Sequence, residues 1–201
     1  MVFAYHVIVS CYGFWLPNDQ RGSWSDFVRC YELLRFGAAT KVDTRRSVAG
    51  QPFDRSWRDA ARAALRYPAV RLTPDQVAAV AAGIADGVRR SGYVILACAI
   101  EPDHVHLVIA RHEYPIEQVV NRLKGAATRE LAAAGVHPLG GCRTPRGVVP
   151  SPWAEGMWVV YLDSAADIER AIPYVEHNPV KAGRPRQVWP FVTSYADWCS
   201  V

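Results

Sequence analysis

The sequence lacks a paired-cysteine motif, a long apolar run and a strong excess of either charge. Its five cysteines, an odd number, are scattered at Cys11, Cys30, Cys98, Cys142 and Cys199, with no CxxC among them. That excludes a disulfide framework and a thiolate zinc knuckle, and it fits a reducing compartment. Cys11 and Cys98 read as packing residues in strands. No apolar stretch approaches the roughly 18 residues that cross a bilayer. The opening Met1-Val2-Phe3-Ala4-Tyr5-His6 has no basic n-region and alternates like a strand, which argues against a signal peptide or a membrane anchor. No internal repeat is visible. Half of the 201 residues are hydrophobic and 21% are charged, so the chain can bury a core and is not a disordered one. The length suits a single domain over residues 1–201, carrying a basic insert at about 29–68.

The net charge is +4. Its distribution is uneven. Between Lys41 and Leu72 lie Lys41, Arg45, Arg46, Arg55, Arg58, Arg62, Arg66 and Arg71, against Asp43, Asp54 and Asp59. Such a stretch can track a phosphate backbone, and it can equally be a solvated helix face.

The pattern predicts a strand over Phe3–Cys11, then a turn-rich segment from Gly13 to Gly22 and an irregular loop over Gly37–Phe53. A short helix fits Arg55–Leu65. The next helix is sharply marked: Thr73 as N-cap, Pro74 at the first position and Gln76 completing a capping box, with Gly92 at the exit. Strands over Tyr93–Ile100 and His104–Ala110 form a hairpin about Pro102-Asp103. A helix from Pro115 to about Ala134 turns Ile116, Val119, Val120, Leu123 and Leu131 inward and Arg122, Lys124 and Arg129 outward. A second loop covers Gly135–Pro152. A strand at Trp158–Leu162 precedes a helix capped by Ser164, which Asn178-Pro179 should end. Pro173 sits awkwardly inside it. The order is that of an α+β fold, helices on one face of a mainly antiparallel sheet.

Two clusters carry chemistry. In His104-Val105-His106 the two imidazoles fall on one face of a strand, roughly 6.6 Å apart along the chain. They can hold one divalent metal, or be two unrelated strand histidines. The other histidines, His6, His112, His137 and His177, form no comparable pair. In Tyr174-Val175-Glu176-His177-Asn178, Tyr174 and Asn178 share a helix face at i and i+4. A phenol can be a nucleophile. With an ordinary pKa of about 10, it needs a base or an electrophile sharpened by a metal. Asn178 could add an oxygen ligand. Two imidazoles and an amide oxygen suit magnesium or manganese and leave positions open for phosphate and water.

Taken together, Glu101-Pro102-Asp103-His104-Val105-His106-Leu107-Val108, then Leu123-Lys124, Trp158, and Tyr174 to Gly183 as YVEHNPVKAG resemble the single-tyrosine HUH transposases. The wording is most similar to that of REP-associated tyrosine transposases of bacteria and their insertion-sequence relatives. Trp15-Leu16-Pro17 after the first strand also recurs in that group. The agreement spans roughly residues 3 to 192. The resemblance implies a ferredoxin-like HUH endonuclease fold, with His104, His106 and Asn178 as ligands of Mg2+ or Mn2+ and Tyr174 as nucleophile. It implies cutting of single-stranded DNA beside a hairpin, a 5′-phosphotyrosine intermediate and a free 3′-hydroxyl that can rejoin strands. It implies a cytoplasmic, nucleoid-associated protein with no membrane partner, and leaves open whether it works as a monomer or a homodimer. Expected DNA contacts are Arg122, Lys124, Arg129, Lys181, Trp15 and Arg21, with Arg143, Arg146, Arg184 and Arg186 in flanking loops and Trp24 and Trp57 as further stacking candidates. Two rivals follow: a domesticated hairpin-binding protein without transposition, and a hydrolase that uses the histidine pair with water.

Overall fold

The computed structural model describes residues 1–17, 31–36 and 54–200. The expected loop over 37–53, much of the basic insert, and Arg21, Trp24, Cys30, Lys41, Arg45 and Arg46 lie outside the described residues. The elements run β1 (Ala4–Ser10), a short 3₁₀ segment (Tyr31–Phe36), α1 (Arg55–Ala63), α2 (Pro74–Ser91), β2 (Ile95–Ile100), β3 (His104–Ala110), α3 (Ile116–Ala133), β4 (Trp158–Leu162), α4 (Ala165–Lys181) and α5 (Tyr195–Cys199).

The four strands form one sheet in the order β2-β3-β1-β4, and every neighbouring pair is antiparallel. Two crossovers, one through α2 and one through α3, split the hairpin β2–β3 from its flanking strands. That is the ferredoxin-like layout expected from the sequence. The α+β class and the antiparallel sheet therefore stand.

The expectation that all helices share one face is corrected. Along β3, Val105, Leu107 and Ile109 join Val7, Val9, Val80, Ile84, Val120 and Leu123 in the larger core, under α2 and α3. Val108 and Ala110 point the other way, to a second core with Ile168, Ala171 and Val175 of α4. Both faces of β3 are buried, so strict apolar/polar alternation is absent and the strand reads as a continuous apolar run after its histidines. α4 carries a buried stripe of Ile168, Ala171, Val175 and Pro179, which needs a sheet to cover.

The best-marked helix starts and stops as its sequence dictates. Thr73 Oγ1 accepts from Gln76 N at 3.3 Å, and Gln76 Oε1 accepts from Thr73 N at 2.9 Å. Gly92 closes α2 in the left-handed region, φ 67°. Gly83 lets α2 approach α3: a Cβ there would stand 2.5 Å from the Ala127 Cα.

A second correction concerns the end of α4. The helix does not stop at Asn178-Pro179 but runs to Lys181. Pro179 deletes a single N–H in the last turn, while its ring lies on the buried stripe. The terminal carbonyls are collected beyond it: Ala182 N reaches Asn178 O at 3.2 Å, and Arg184 N reaches Pro179 O at 2.8 Å. Packing and capping override the local preference of the residue before proline.

Candidate metal and tyrosine site

Strand alternation decides what faces α4. His104 and His106 of β3 share the face of Val108 and Ala110, and His6 of β1 shares the face of Ala4. The register pairs His6 with Val108 and Ile8 with His106, so His6 and His106 are diagonal neighbours on adjacent strands. α4 lies across this face and lowers Tyr174 and Asn178, one turn apart, onto the imidazoles.

The distances define a compact centre. Nε2 of His104 and Nε2 of His106 are 2.9 Å apart. The Asn178 Nδ2 stands 3.1 Å from His106 Nε2. The Tyr174 ring centroid is 6.0 Å from that of His106 and 5.6 Å from that of His6, edge-on to both. Lys181 Nζ lies 5.0 Å from the Tyr174 centroid. Pro173, Tyr174, His177, Val180 and Lys181 line an open groove of about 380 Å³ on the outer side of α4.

The outer ring nitrogens are engaged. His104 Nδ1 lies 2.7 Å from Asp103 Oδ1, and Asp103 Oδ2 accepts from Arg71 at 3.1 Å. His106 Nδ1 lies 3.0 Å from His6 Nε2. Burial holds the His6 imidazole down to about 4. Burial, then the adjoining imidazoles of His104 and His6, hold His106 down to about 3. Both rings are therefore neutral at physiological pH, the form that ligates a metal.

Among the described residues, no cluster of three or more His, Cys, Asp or Glu is arranged around a metal position. The candidate set is two imidazoles and an amide. It fits a divalent cation on one observation. With their Nδ1 atoms paired outward, the two Nε2 atoms face each other at 2.9 Å, a spacing met either by a proton on one of them or by a cation held by both lone pairs. A half-turn of the Asn178 amide presents oxygen in place of nitrogen.

The model of the IS200-like transposase family matches residues 69–178. The chain belongs to that family. The matched span contains His104, His106, Tyr174 and Asn178. Among solved structures, this IS200-like transposase is similar to a REP-associated tyrosine transposase bound to a REP hairpin, at 16% identity and a TM-score of 0.49, over 98% of this chain and 79% of that one. A crystal structure of a proposed transposase from Deinococcus radiodurans R1 matches at 15% identity and a TM-score of 0.38, over 88% of this chain and 91% of that one. No curated protein matches.

The expected DNA-contacting residues of this transposase do not all gather at the centre. Lys124 Nζ donates to the carbonyls of Ala154 and Gly156, at 2.9 and 3.3 Å, so its charge holds that loop. The Arg122 guanidinium lies 4.3 Å over the Tyr114 ring, away from the imidazoles in the contacts it makes. Arg129 is exposed on the same helix. Trp15 Nε1 donates to Ser10 Oγ at 3.1 Å, and its ring meets Phe14, which in turn stacks on His104 with centroids 5.2 Å apart. Trp57 Nε1 donates to Phe36 O at 3.1 Å. Arg184 pairs with the fully buried Glu101, and Arg186 with Glu176 at 2.6 Å.

Sequence reasoning missed His6, Asp103 and Phe14. Asp103 was findable, since it directly precedes the histidine pair. His6 was not, because only the β1–β3 register brings it there. Cys11 and Cys98 are buried, and burial raises both thiols, Cys11 to about 12 with Asp103 contributing, which leaves them inert.

Proposed function

We propose that this IS200-like transposase cuts and rejoins single-stranded DNA at hairpin-flanked sites through a covalent bond to Tyr174. One observation carries the reading: Tyr174 and Asn178, a turn apart on α4, face the paired Nε2 atoms of His104 and His106 in the same chain. His104, His106 and Asn178 would hold Mg2+ or Mn2+, which when bound polarises a phosphate and offsets the charge that builds on it.

Tyr174 supplies the nucleophilic oxygen. It attacks the scissile phosphorus, the bond to the 3′-oxygen breaks, and the DNA leaves as a 5′-phosphotyrosine and a free 3′-hydroxyl. Two protons move, one from the phenol and one onto the 3′-oxygen. The later attack of a 3′-hydroxyl on the phosphotyrosine restores a phosphodiester and frees the tyrosine, so no nucleotide cofactor is consumed. Tyr174 is 48% accessible, which supports its approach by a DNA strand. Lys181 beside the ring supports a phosphate contact there, and Phe14 with Trp15 at the His104 side supports stacking of an unpaired base. Arg122, Arg129, Arg21 and the basic insert at 29–68 are proposed to add contacts along the DNA backbone.

The test is a labelled single-stranded DNA drawn from the gene's own flanks, incubated with protein and magnesium or manganese and run on denaturing gels. Wild type should give a protein-linked band that a chelator abolishes. Tyr174→Phe should give none while still retarding the DNA on native gels. An adduct from Tyr174→Phe would overturn the assignment. Binding by wild type without any adduct would leave a hairpin-binding protein in place of a transferase.

A further inference from the structure

We propose that His6 is a positioning residue: it accepts the Nδ1 proton of His106 and so keeps the Nε2 lone pair of that ring directed into the centre. The inference rests on the metal-site reading above and extends it to a side chain outside the HxH motif.

The geometry assigns the direction of the bond. The His6 and His106 rings are nearly parallel, 22° apart, with centroids separated by 5.3 Å. That offset sets nitrogen against nitrogen, at 3.0 Å, rather than face against face. One of the two nitrogens must carry the proton. If His6 donated, His106 would hold its own proton on Nε2. That nitrogen stands 2.9 Å from the His104 Nε2, so the proton would lie between the two rings and no lone pair of His106 would be left for a cation. If His106 donates instead, its Nε2 keeps a lone pair beside that of His104, and the Asn178 side chain at 3.1 Å can turn its oxygen to the same cation. Only the second assignment lets both imidazoles hold one cation through Nε2.

The surroundings hold this arrangement. His6 is 9% exposed and His106 3% exposed, so water does not compete for the bond. The flanking pairs Val7–Leu107 and Tyr5–Ile109 fix the register that brings the two rings together. The two ligands are thus oriented by unlike partners. His104 has a carboxylate at Nδ1, which makes its ring a stronger donor; His106 has a neutral imidazole, which fixes the tautomer without adding charge.

The test uses full-length protein with 15N-labelled histidine. In Mg2+-saturated wild type the His106 signals should show a protonated Nδ1 and a bare Nε2. A protonated Nε2 would overturn the proposal outright, with no variant needed. Calorimetric titration with Mn2+ gives the second readout. His6→Leu should weaken Mn2+ binding by roughly 10–100-fold, the usual effect of losing such a partner. His6→Gln, whose carbonyl oxygen can reach the same nitrogen, should recover most of it. Equal Mn2+ affinity in wild type and His6→Leu would overturn the role of His6. Equal affinity in wild type and His104→Ala would instead defeat the metal reading, and the tautomer in the spectrum would then decide the His6 assignment by itself.

Discussion

Asp103 sits where a small change should have a large effect. Its carboxylate takes the His104 Nδ1 on one oxygen and Arg71 on the other. Removing it frees the His104 ring to turn and to shift its proton. Asp103→Ala should therefore lower both Mn2+ affinity and cleavage rate by about 10–100-fold, measured by calorimetry and by initial rates of adduct formation, while DNA retention on native gels changes little. A variant with unchanged affinity would make Asp103 a turn residue only. The buried imidazoles make a separate prediction about pH. His6 and His106 are neutral in the folded state, with values of about 4 and about 3. In the unfolded chain a histidine titrates near 6.5. As pH falls, the unfolded chain takes up protons first, so stability present above about 6.5 is lost as pH drops toward the folded values. The slope is about 1.4 kcal/mol per pH unit for each ring, or on the order of 4 kcal/mol for both rings between pH 6.5 and 5. Urea midpoints in chelator at pH 7 and pH 5 should show the loss, and His6→Leu should about halve the slope. A flat profile would mean that these rings charge freely when folded.

α4 is held at both ends. Ser164 Oγ accepts from Asp167 N at its start. Beyond its end, Arg184 closes on the buried Glu101, Gln187 exchanges two hydrogen bonds with the backbone of Ile100 at 2.8 Å each, and Thr193 N donates to Ile95 O at 2.8 Å. The segment after α4 therefore runs along the open edge of β2 and ties the tyrosine helix to the hairpin that carries the histidines. Arg184→Ala strands the Glu101 carboxylate in the interior. Breaking a buried pair costs about 3–5 kcal/mol, and the partial exposure of Arg184 argues for the lower end. Glu101→Gln together with Arg184→Met should restore much of that stability, since no buried charge is left unpaired. Chemical unfolding of both variants checks this, and an Arg184→Ala protein as stable as wild type would show that the ion pair carries no load. This part of the fold was poorly legible in the sequence. Elements with local signals were readable: the Thr73 capping box, the apolar repeat of α3 and the alternation of β1 depend on residues a few positions apart. The end of α4 was misread because the pre-proline preference is local, while burial of Pro179 and the capping by Arg184 N are not. The one-face arrangement failed for a related reason, since a strand buried on both sides does not announce its second face. Among the site residues, the HxH pair and the Tyr174–Asn178 spacing are short-range patterns. His6 stands a hundred positions from His106, and only strand register links them.

The arrangement of the entire chain bears on whose tyrosine serves which histidines. Tyr174 meets His6 and His106 of its own chain, and the helix that carries it seals the second core through Ile168, Ala171 and Val175. For Tyr174 to reach the histidines of a second copy, α4 would have to leave this sheet. Exposing its large aliphatic side chains costs about 1.5–3 kcal/mol each, and the Glu101–Arg184 and Gln187–Ile100 contacts would have to open as well. These costs favour a tyrosine that acts on its own chain's site. The consequence is measurable with two inactive proteins. Tyr174→Phe keeps the histidines and lacks the proposed nucleophile; His104→Ala keeps the proposed nucleophile and lacks a proposed ligand. If each site is built from one chain, mixing the two should yield no adduct at any ratio. If the tyrosine crosses between copies, mixed pairs would contain one complete site, and the adduct would return on the His104→Ala chain, identifiable by giving that protein a distinguishable mass. Recovery would show that the closed position of α4 is one of two, and that the contacts beyond its C-terminus are the ones that must release for the exchange.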